Sequence, residues 1–177
     1  TAIDDLDDLT GTGNAYTITV ADAQVTAIAL NTINAAVTVD IDASAITQIT
    51  GTAANVASVY SGGIIGLGNK TIVISDTTLP VETFTSAIAN NHTISININT
   101  VTKLTGTFAE MQQFASDQSN YINKTNIASA VLDTGAVGDA GDLHILHDNL
   151  RNSDNGFSST LINLSNVTSI TGSFDEL

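Results

Sequence analysis

A group of ionisable side chains in the last third of the chain contains the residue types best suited to binding a metal ion. His144 and His147 lie three residues apart, which places both imidazoles near one face of a helix. Imidazole nitrogens and carboxylate oxygens are typical zinc ligands. A solvated helix face opposite a leucine stripe explains the same pattern, so the sequence commits none of these residues to a metal site. The candidate ligands are Asp139, Asp142, His144, His147 and Asp148.

A glycine-rich segment from Gly63 to Thr71 is similar to a phosphate-binding loop but departs from it in two ways. One residue too many separates Gly68 from Lys70, and a strand is predicted to follow, whereas a phosphate loop opens a helix. We find no nucleophile elbow or His-Glu-x-x-His motif either. We therefore predict no catalytic residues and no cofactor-binding set, and the chain is not expected to be an enzyme.

The strong negative charge of the chain limits the classes of molecule that it can bind. The 177 residues include 18 acidic and 4 basic side chains, a formal net charge of −14, and no cysteine. Nucleic acid and anionic lipid are excluded as partners, because each is held by clustered cations. No apolar run reaches the roughly 20 residues of a membrane span, so we expect no membrane insertion. Most of the acids are Asp, without a known calcium motif, which leaves Ca²⁺ as an open cofactor hypothesis.

The main signal is an internal repeat. Residues 41–52, 96–107 and 162–173 align without gaps, and residues 6–12 form a degenerate copy. Their Thr-Gly pairs begin at positions 10, 50, 105 and 171, and this widening spacing indicates units with insertions between them. The predicted units of one continuous domain are 1–52 (short and degenerate), 53–107, 108–173 (with an insertion) and 174–177 (the start of a truncated next unit).

A second repeated element consists of a strand that ends in Asp. It occurs at Tyr16–Asp22, Lys70–Asp76 and Ile127–Asp133, and each Asp is predicted to cap the helix that follows it. The middle helix would carry Pro80 in its first turn. A further helix is predicted directly after each of the two Thr-Gly-Thr segments that end at Thr52 and Thr107.

Parallel strands need a crossover such as a helix, and one unit alone cannot cover its apolar faces. The predicted fold class is therefore α/β, a repeat (solenoid-like) stack with parallel strands and crossover helices. The alternative is a single closed α/β domain with accidental self-similarity.

Two columns of the repeat carry short polar side chains. We interpret them as a structural ladder between stacked units, combined with turn formation, rather than as a repeated ligand surface. The glycines at 51, 106 and 172 are expected to supply either a positive φ or a close approach of neighbouring backbones. The ladder residues are Asp42, Asn97 and Asn163 in one column and Ser44, Asn99 and Ser165 in the other.

The segment Ile46-Thr-Gln-Ile-Thr-Gly-Thr52, its alanine-rich continuation to Tyr60, and Gly66-Leu-Gly-Asn69 resemble repeats of very large secreted or cell-surface proteins of cyanobacteria and other aquatic bacteria. The resemblance implies an extracellular or cell-surface location, a role in adhesion or motility, and no catalytic residues. It implies neighbouring repeats of the same protein as partners, with surface polysaccharide as a further candidate. Residues 171–177 match 105–111, so we expect a fragment of a longer array.

These observations give three hypotheses. The first is a structural or adhesive repeat module of a large extracellular or cell-surface protein. The second is a calcium-dependent carbohydrate- or surface-layer-binding module, which the acidic composition motivates. The third is an enzyme domain of unknown reaction.

Overall fold

Short strands and helices alternate along the chain in the computed structural model, which describes residues 2–6, 9–82, 96–137, 139–158 and 160–171. Residues 81 and 82 are also helical. The labelled helices are α1 (Ala27–Ala36), α2 (Ala53–Ser61), α3 (Phe108–Ser116) and α4 (Ala140–Arg151). The strands are β1 (Gln24–Thr26), β2 (Ile41–Asp42), β3 (Gln48–Gly51), β4 (Ile64–Ile65), β5 (Thr71–Ile74), β6 (Thr78–Pro80), β7 (Ile96–Asn97), β8 (Lys103–Gly106), β9 (Tyr121–Ile122), β10 (Ser129–Leu132), β11 (Gly135–Val137), β12 (Leu161–Asn163) and β13 (Val167–Ile170).

The strands form four sheets. The largest has the order β1-β3-β5-β7-β9, the next has the order β12-β10-β8-β6, and the other two are the pairs β11-β13 and β2-β4. Every strand pair among the described residues is parallel. Since parallel neighbours need a long connection, the helices lie between paired strands in the chain. The predicted α/β class, with parallel sheets and alternating strands and helices, is confirmed.

The register between neighbouring strands follows a nearly constant step along the chain. Gln24 lies opposite Gln48, and Gln48 lies opposite Thr71, so each step covers about two dozen residues. In the four-stranded sheet, Ser129 lies opposite Leu161, and this step is about a third longer. The two sheets therefore repeat one arrangement with an insertion before β12.

Threonine hydroxyls start the first three helices. The Thr26 hydroxyl accepts a hydrogen bond from the Ala29 amide at 3.3 Å. In the same way, the Thr52 hydroxyl accepts from the Asn55 amide and the Thr107 hydroxyl from the Glu110 amide. Such N-caps satisfy amides that have no partner within the helix. Thr52 and Thr107 are the last residues of the Thr-Gly-Thr motifs, so the predicted helices after those motifs are confirmed.

The predicted capping role of the strand-ending aspartates is wrong. Short strands β1, β6 and β11 separate Asp22, Asp76 and Asp133 from the helices that follow. Asp76 instead caps the start of α2, where its Oδ2 accepts from the Ala53 amide at 2.7 Å. Pro80 ends β6 rather than lying in a first helical turn.

Glycine permits the close approach of neighbouring segments, one of the two roles that we predicted for it. A Cβ on Gly106 would lie 2.5 Å from Val81 Cγ2, and one on Gly51 would lie 2.7 Å from Ala27 Cβ. Neither glycine is among those with positive φ. Gly172 lies outside the described residues. These two positions let each strand pack directly against the start of the preceding helix.

An aromatic cluster joins α3 to the segment before β12. The rings of Phe114 and Tyr121 stack with centroids 4.5 Å apart, and Phe157 meets Phe114 edge-on at 6.5 Å. Phe114 and Phe157 are almost completely buried. Lys124 Nζ lies 5.2 Å from the centroid of Phe157, which is cation–π distance. Burial lowers the pKa of Lys124.

Candidate functional site

Helix α4 positions the chemistry-bearing side chains of the last third of the chain. Asp139 is its N-cap, and its Oδ1 accepts from the Gly141 amide at 2.6 Å. Leu146 and Leu150 are buried against the core. Because helix neighbours recur every three or four residues, this anchoring holds a polar face outward. That face carries His144, His147, Asp148 and Arg151.

Three of the five candidate metal ligands come together on this face. Asp148 lies between the two imidazoles: its Oδ2 is 3.4 Å from His144 Nε2, and its Oδ1 is 3.3 Å from His147 Nδ1. One ligand atom from each residue lies within 4.8 Å of the other two. Among the described residues, this is the one such group of histidines and acids. Of the other candidates, Asp139 caps the helix and Asp142 lies in its first turn.

Arg151 completes the polar face. Its Nη1 lies 3.1 Å from His147 Nε2. A guanidinium only donates, so this nitrogen of His147 accepts and Nδ1 carries the ring proton toward Asp148. The side chains are accessible: His144 is 68%, Asp148 62% and His147 42% exposed. Exposed polar contacts of this kind add little stability, so these side chains are free to exchange partners.

A groove of about 360 Å³ runs between α4 and β12, beside the polar face. Its floor includes the fully buried Thr160, whose hydroxyl donates to the Ile127 carbonyl at 2.8 Å. Leu161 is 64% exposed. Apolar walls with a few polar groups are typical of ligand-binding clefts. The lining residues that matter here are Leu143, His144, His147, Arg151, Leu161 and Ile162.

The six predicted ladder residues all take part in turns. Asp42 Oδ1 accepts from the Ser44 amide at 2.9 Å. Asn97 and Asn163 do the same with the amides of Asn99 and Ser165, at 3.0 and 2.9 Å. The three strands that carry them, β2, β7 and β12, belong to three different sheets. The structure therefore places these columns in equivalent turns and does not bring the three copies together.

Asp42 is the one acid of that column, and its environment stabilises the charged form. The Ser44 backbone amide, and then the Ser44 side chain, lower the pKa of Asp42, with a smaller effect from Lys70. Lys70 itself donates to the Ser44 carbonyl at 3.0 Å. The group is a charged turn on the surface, and the amide of asparagine performs the same bonding at the two other copies.

The ladder residue Asn97 bonds to a neighbouring segment, since its Oδ1 accepts from Asn123 Nδ2 at 3.1 Å. Other side chains that bond between neighbouring segments were missed by sequence reasoning. Thr47 and Thr102 share a column of the repeat, and their hydroxyls donate to carbonyls of Ala23 and Thr77, at 2.8 and 3.1 Å. A second column contains Thr100, which donates to the Ile74 carbonyl at 2.7 Å, and Asn166, which donates to that of Leu132 at 3.2 Å. The alignment of the repeat could have indicated them, because the two members of each pair occupy the same column. Each side chain reaches a carbonyl that lies about one register step earlier in the chain.

Comparison with known proteins gives the chain no relative. No protein-family model, curated protein or solved structure matches it. Within the described part of the chain, no helix has the length and apolar character needed to cross a bilayer.

Proposed function

We propose that the chain is a structural or adhesive repeat module of a large extracellular or cell-surface protein, built as an α/β solenoid. The observation that carries this proposal is the register. At every strand pair of the five-stranded sheet, the step from a residue to its partner is nearly the same, about two dozen residues. A stack in which each turn contacts only its neighbours has this property. We call one such turn of the chain a coil.

Bonds between adjacent coils support the same proposal. The threonine and asparagine side chains of the two missed columns reach carbonyls of the preceding coil, and Asp76 caps a helix of the preceding coil. Such contacts hold one coil to the next without any distant contact. A structural role follows from this design, because stability then grows with the number of coils.

The charge fits an extended array outside the cell. A net charge of −14 with four basic residues would recur along every copy of the module. Self-repulsion keeps such an array soluble and extended. The partners that this proposal assigns are neighbouring repeats of the same protein, with surface polysaccharide as a further candidate.

An in-phase deletion tests the solenoid. Thr19 lies opposite Asp42, and Asp42 lies opposite Ile65, so residues 19 and 65 hold the same place in the register two steps apart. Deleting residues 19–64 removes two whole coils and joins Ile18 to Ile65. We expect a folded chain that unfolds cooperatively, with a maximum dimension in small-angle X-ray scattering shorter by about 10 Å, two inter-strand spacings.

The matched control is an out-of-phase deletion of residues 19–54, which removes about one and a half coils and should prevent folding. If both deletions unfold the chain, it is a closed domain and the solenoid proposal is lost. Antibodies against the chain should also label intact cells that carry the gene. Labelling only after the cells are broken would contradict the surface location, independently of the fold.

A further inference from the structure

We infer that His144, His147 and Asp148 bind one zinc-like divalent transition-metal ion at the rim of the groove between α4 and β12. The inference does not depend on the repeat role of the chain. It starts from the separations among the three ligand atoms and from the chemistry of the donors.

The separations suit a tetrahedral ion. For bonds of about 2.0–2.1 Å to zinc, the edge of a tetrahedron is about 1.63 times the bond length, or roughly 3.3–3.4 Å. Asp148 Oδ2 lies 3.4 Å from His144 Nε2, and Asp148 Oδ1 lies 3.3 Å from His147 Nδ1, so each imidazole already has a carboxylate oxygen at the length of an edge. The three ligand atoms lie within 4.8 Å of one another. Small rotations of exposed side chains close the remaining edge.

The donor set selects the class of ion. Two imidazole nitrogens and one carboxylate suit Zn²⁺, Ni²⁺ or Cu²⁺. Ca²⁺ prefers six to eight oxygen ligands, and this face of α4 offers one carboxylate in reach of the imidazoles. The inferred site is therefore distinct from the calcium site that the acidic composition alone would suggest.

Helix α4 prepares the site. Leu146 and Leu150 are buried and fix the rotation of the helix, so the ligands at positions i, i+3 and i+4 stay on one face. Arg151 holds Nε2 of His147, which turns Nδ1 toward Asp148. For the ion to bind at Nδ1, the ring proton moves to Nε2, because a neutral imidazole carries one N–H, and the Arg151 guanidinium then gives up its contact with that nitrogen.

The groove gives the ion access to a ligand. His144 and His147 both line the groove, together with Leu161 and Ile162. Three protein ligands leave the fourth tetrahedral position open. That position is available to water or to an oxygen or nitrogen atom of a molecule lying in the groove.

Titration calorimetry with zinc chloride tests the inference on the full chain. We expect one zinc ion per chain and no heat from calcium chloride. H144A and H147A should each weaken zinc binding by at least the ~10-fold that loss of an outer-sphere partner already costs. D142N on the same helix and H92Q elsewhere in the chain are matched controls, and both should bind as the parent does.

Circular dichroism verifies that each variant is folded, and H144Q and H147Q replace any alanine variant that is not. Cobalt(II) gives a second measurement, because a tetrahedral site with two nitrogen ligands produces visible absorption bands that the histidine variants should lose. The inference is overturned if zinc gives no heat at millimolar concentration. It is equally overturned if the double variant H144A/H147A binds zinc as tightly as the parent.

Discussion

Two regions of the molecule are both built from parallel strands and helices, but they differ in the register step between neighbouring strands and in the side chains of their helices. In residues 14–74, the regular region, successive register steps are almost equal, and helices α1 and α2 contain no charged side chain. In residues 127–171, the extended region, the step from β10 to β12 is about a third longer. Its helix α4 is the longest of the four labelled helices and carries His144, His147 and Asp148 on its polar face.

Side chains of the strands are also more buried in the regular region than in the extended region. Ile72 and Ile74 of β5 are fully buried, whereas Ile162 of β12, which lies opposite the buried Ala130, is only partly buried. The extra residues of the extended region therefore lie outside the strand ladder, which keeps its parallel pairing. The repeated frame therefore tolerates an insertion between its strands, and the group of His144, His147 and Asp148 lies in the region with the longer step.

The largest expected effect comes from the aromatic cluster that holds the extended region to the rest of the chain. Phe114→Ala removes the ring that contacts both Tyr121 and Phe157. We expect the free energy of unfolding to fall by about 3–5 kcal/mol in urea titration, since a large buried side chain is lost. Phe108→Ala, a half-buried position on the same helix, is the control and should cost less. Equal losses would show that the cluster does not anchor the extended region.

Glycine substitutions compare a close contact between a strand and a helix, at Gly106, with an open position in the extended region, at Gly135. Gly106→Ala places a Cβ 2.5 Å from Val81 Cγ2 and should destabilise the chain by about 1–3 kcal/mol, as overpacking does. Gly135→Ala in the extended region meets no atom within 4 Å and should leave the melting temperature nearly unchanged. If both variants melt alike, the close approach at Gly106 does not exist in solution.

Asp76 tests whether a side chain of one coil caps the helix of the coil before it. Asp76→Ala removes the acceptor of the Ala53 amide and should cost about 1 kcal/mol, the usual value of an N-cap. Asp76→Asn keeps an acceptor oxygen and should retain most of that stability. Hydrogen exchange should speed up at the first amides of α2 in the alanine variant only; unchanged exchange there would place the effect elsewhere.

The smallest expected effect is the pH dependence of the turn at Asp42. Its lowered pKa means that the folded state prefers the carboxylate, so its contribution is present above the unfolded value of 3.8. That contribution is lost as the pH falls through the lower folded value. Asp42→Asn should therefore melt slightly below the parent at pH 7, and the two melting temperatures should converge below about pH 4. An identical acid limb would contradict the assigned cause.

Much of the secondary structure could be predicted from the sequence, because it depends on residues that are close together in the chain. The helices after Thr-Gly-Thr begin at a threonine cap, and the strand over residues 71–74 alternates β-forming residues, so both follow from short-range rules. Three-residue strands such as β1 and β6 are too short to show a period. They were missed for that reason, and the aspartates before them were assigned to the wrong helices.

The candidate site also has a part that the sequence predicts and a part that only the packing of the chain creates. His144, His147 and Asp148 lie within five residues of one helix, so their spacing alone predicted that they would meet. The groove could not be predicted, because it needs β12 to pack beside α4. The carbonyl partners of Thr47 and Thr102 also depend on the register, which no local pattern specifies.

Engineered disulfides test the central claim, that one parallel stack runs through both regions. The chain has no cysteine of its own, so each pair is unambiguous. Q48C/T71C joins opposed residues of the regular region, and S129C/L161C joins opposed residues across the insertion. Adjacent strands place such pairs within disulfide reach. We predict that both pairs oxidise in the folded chain, as read by mass spectrometry of proteolytic fragments. Formation of the first disulfide without the second would contradict a continuous stack, and failure of both would contradict the register itself.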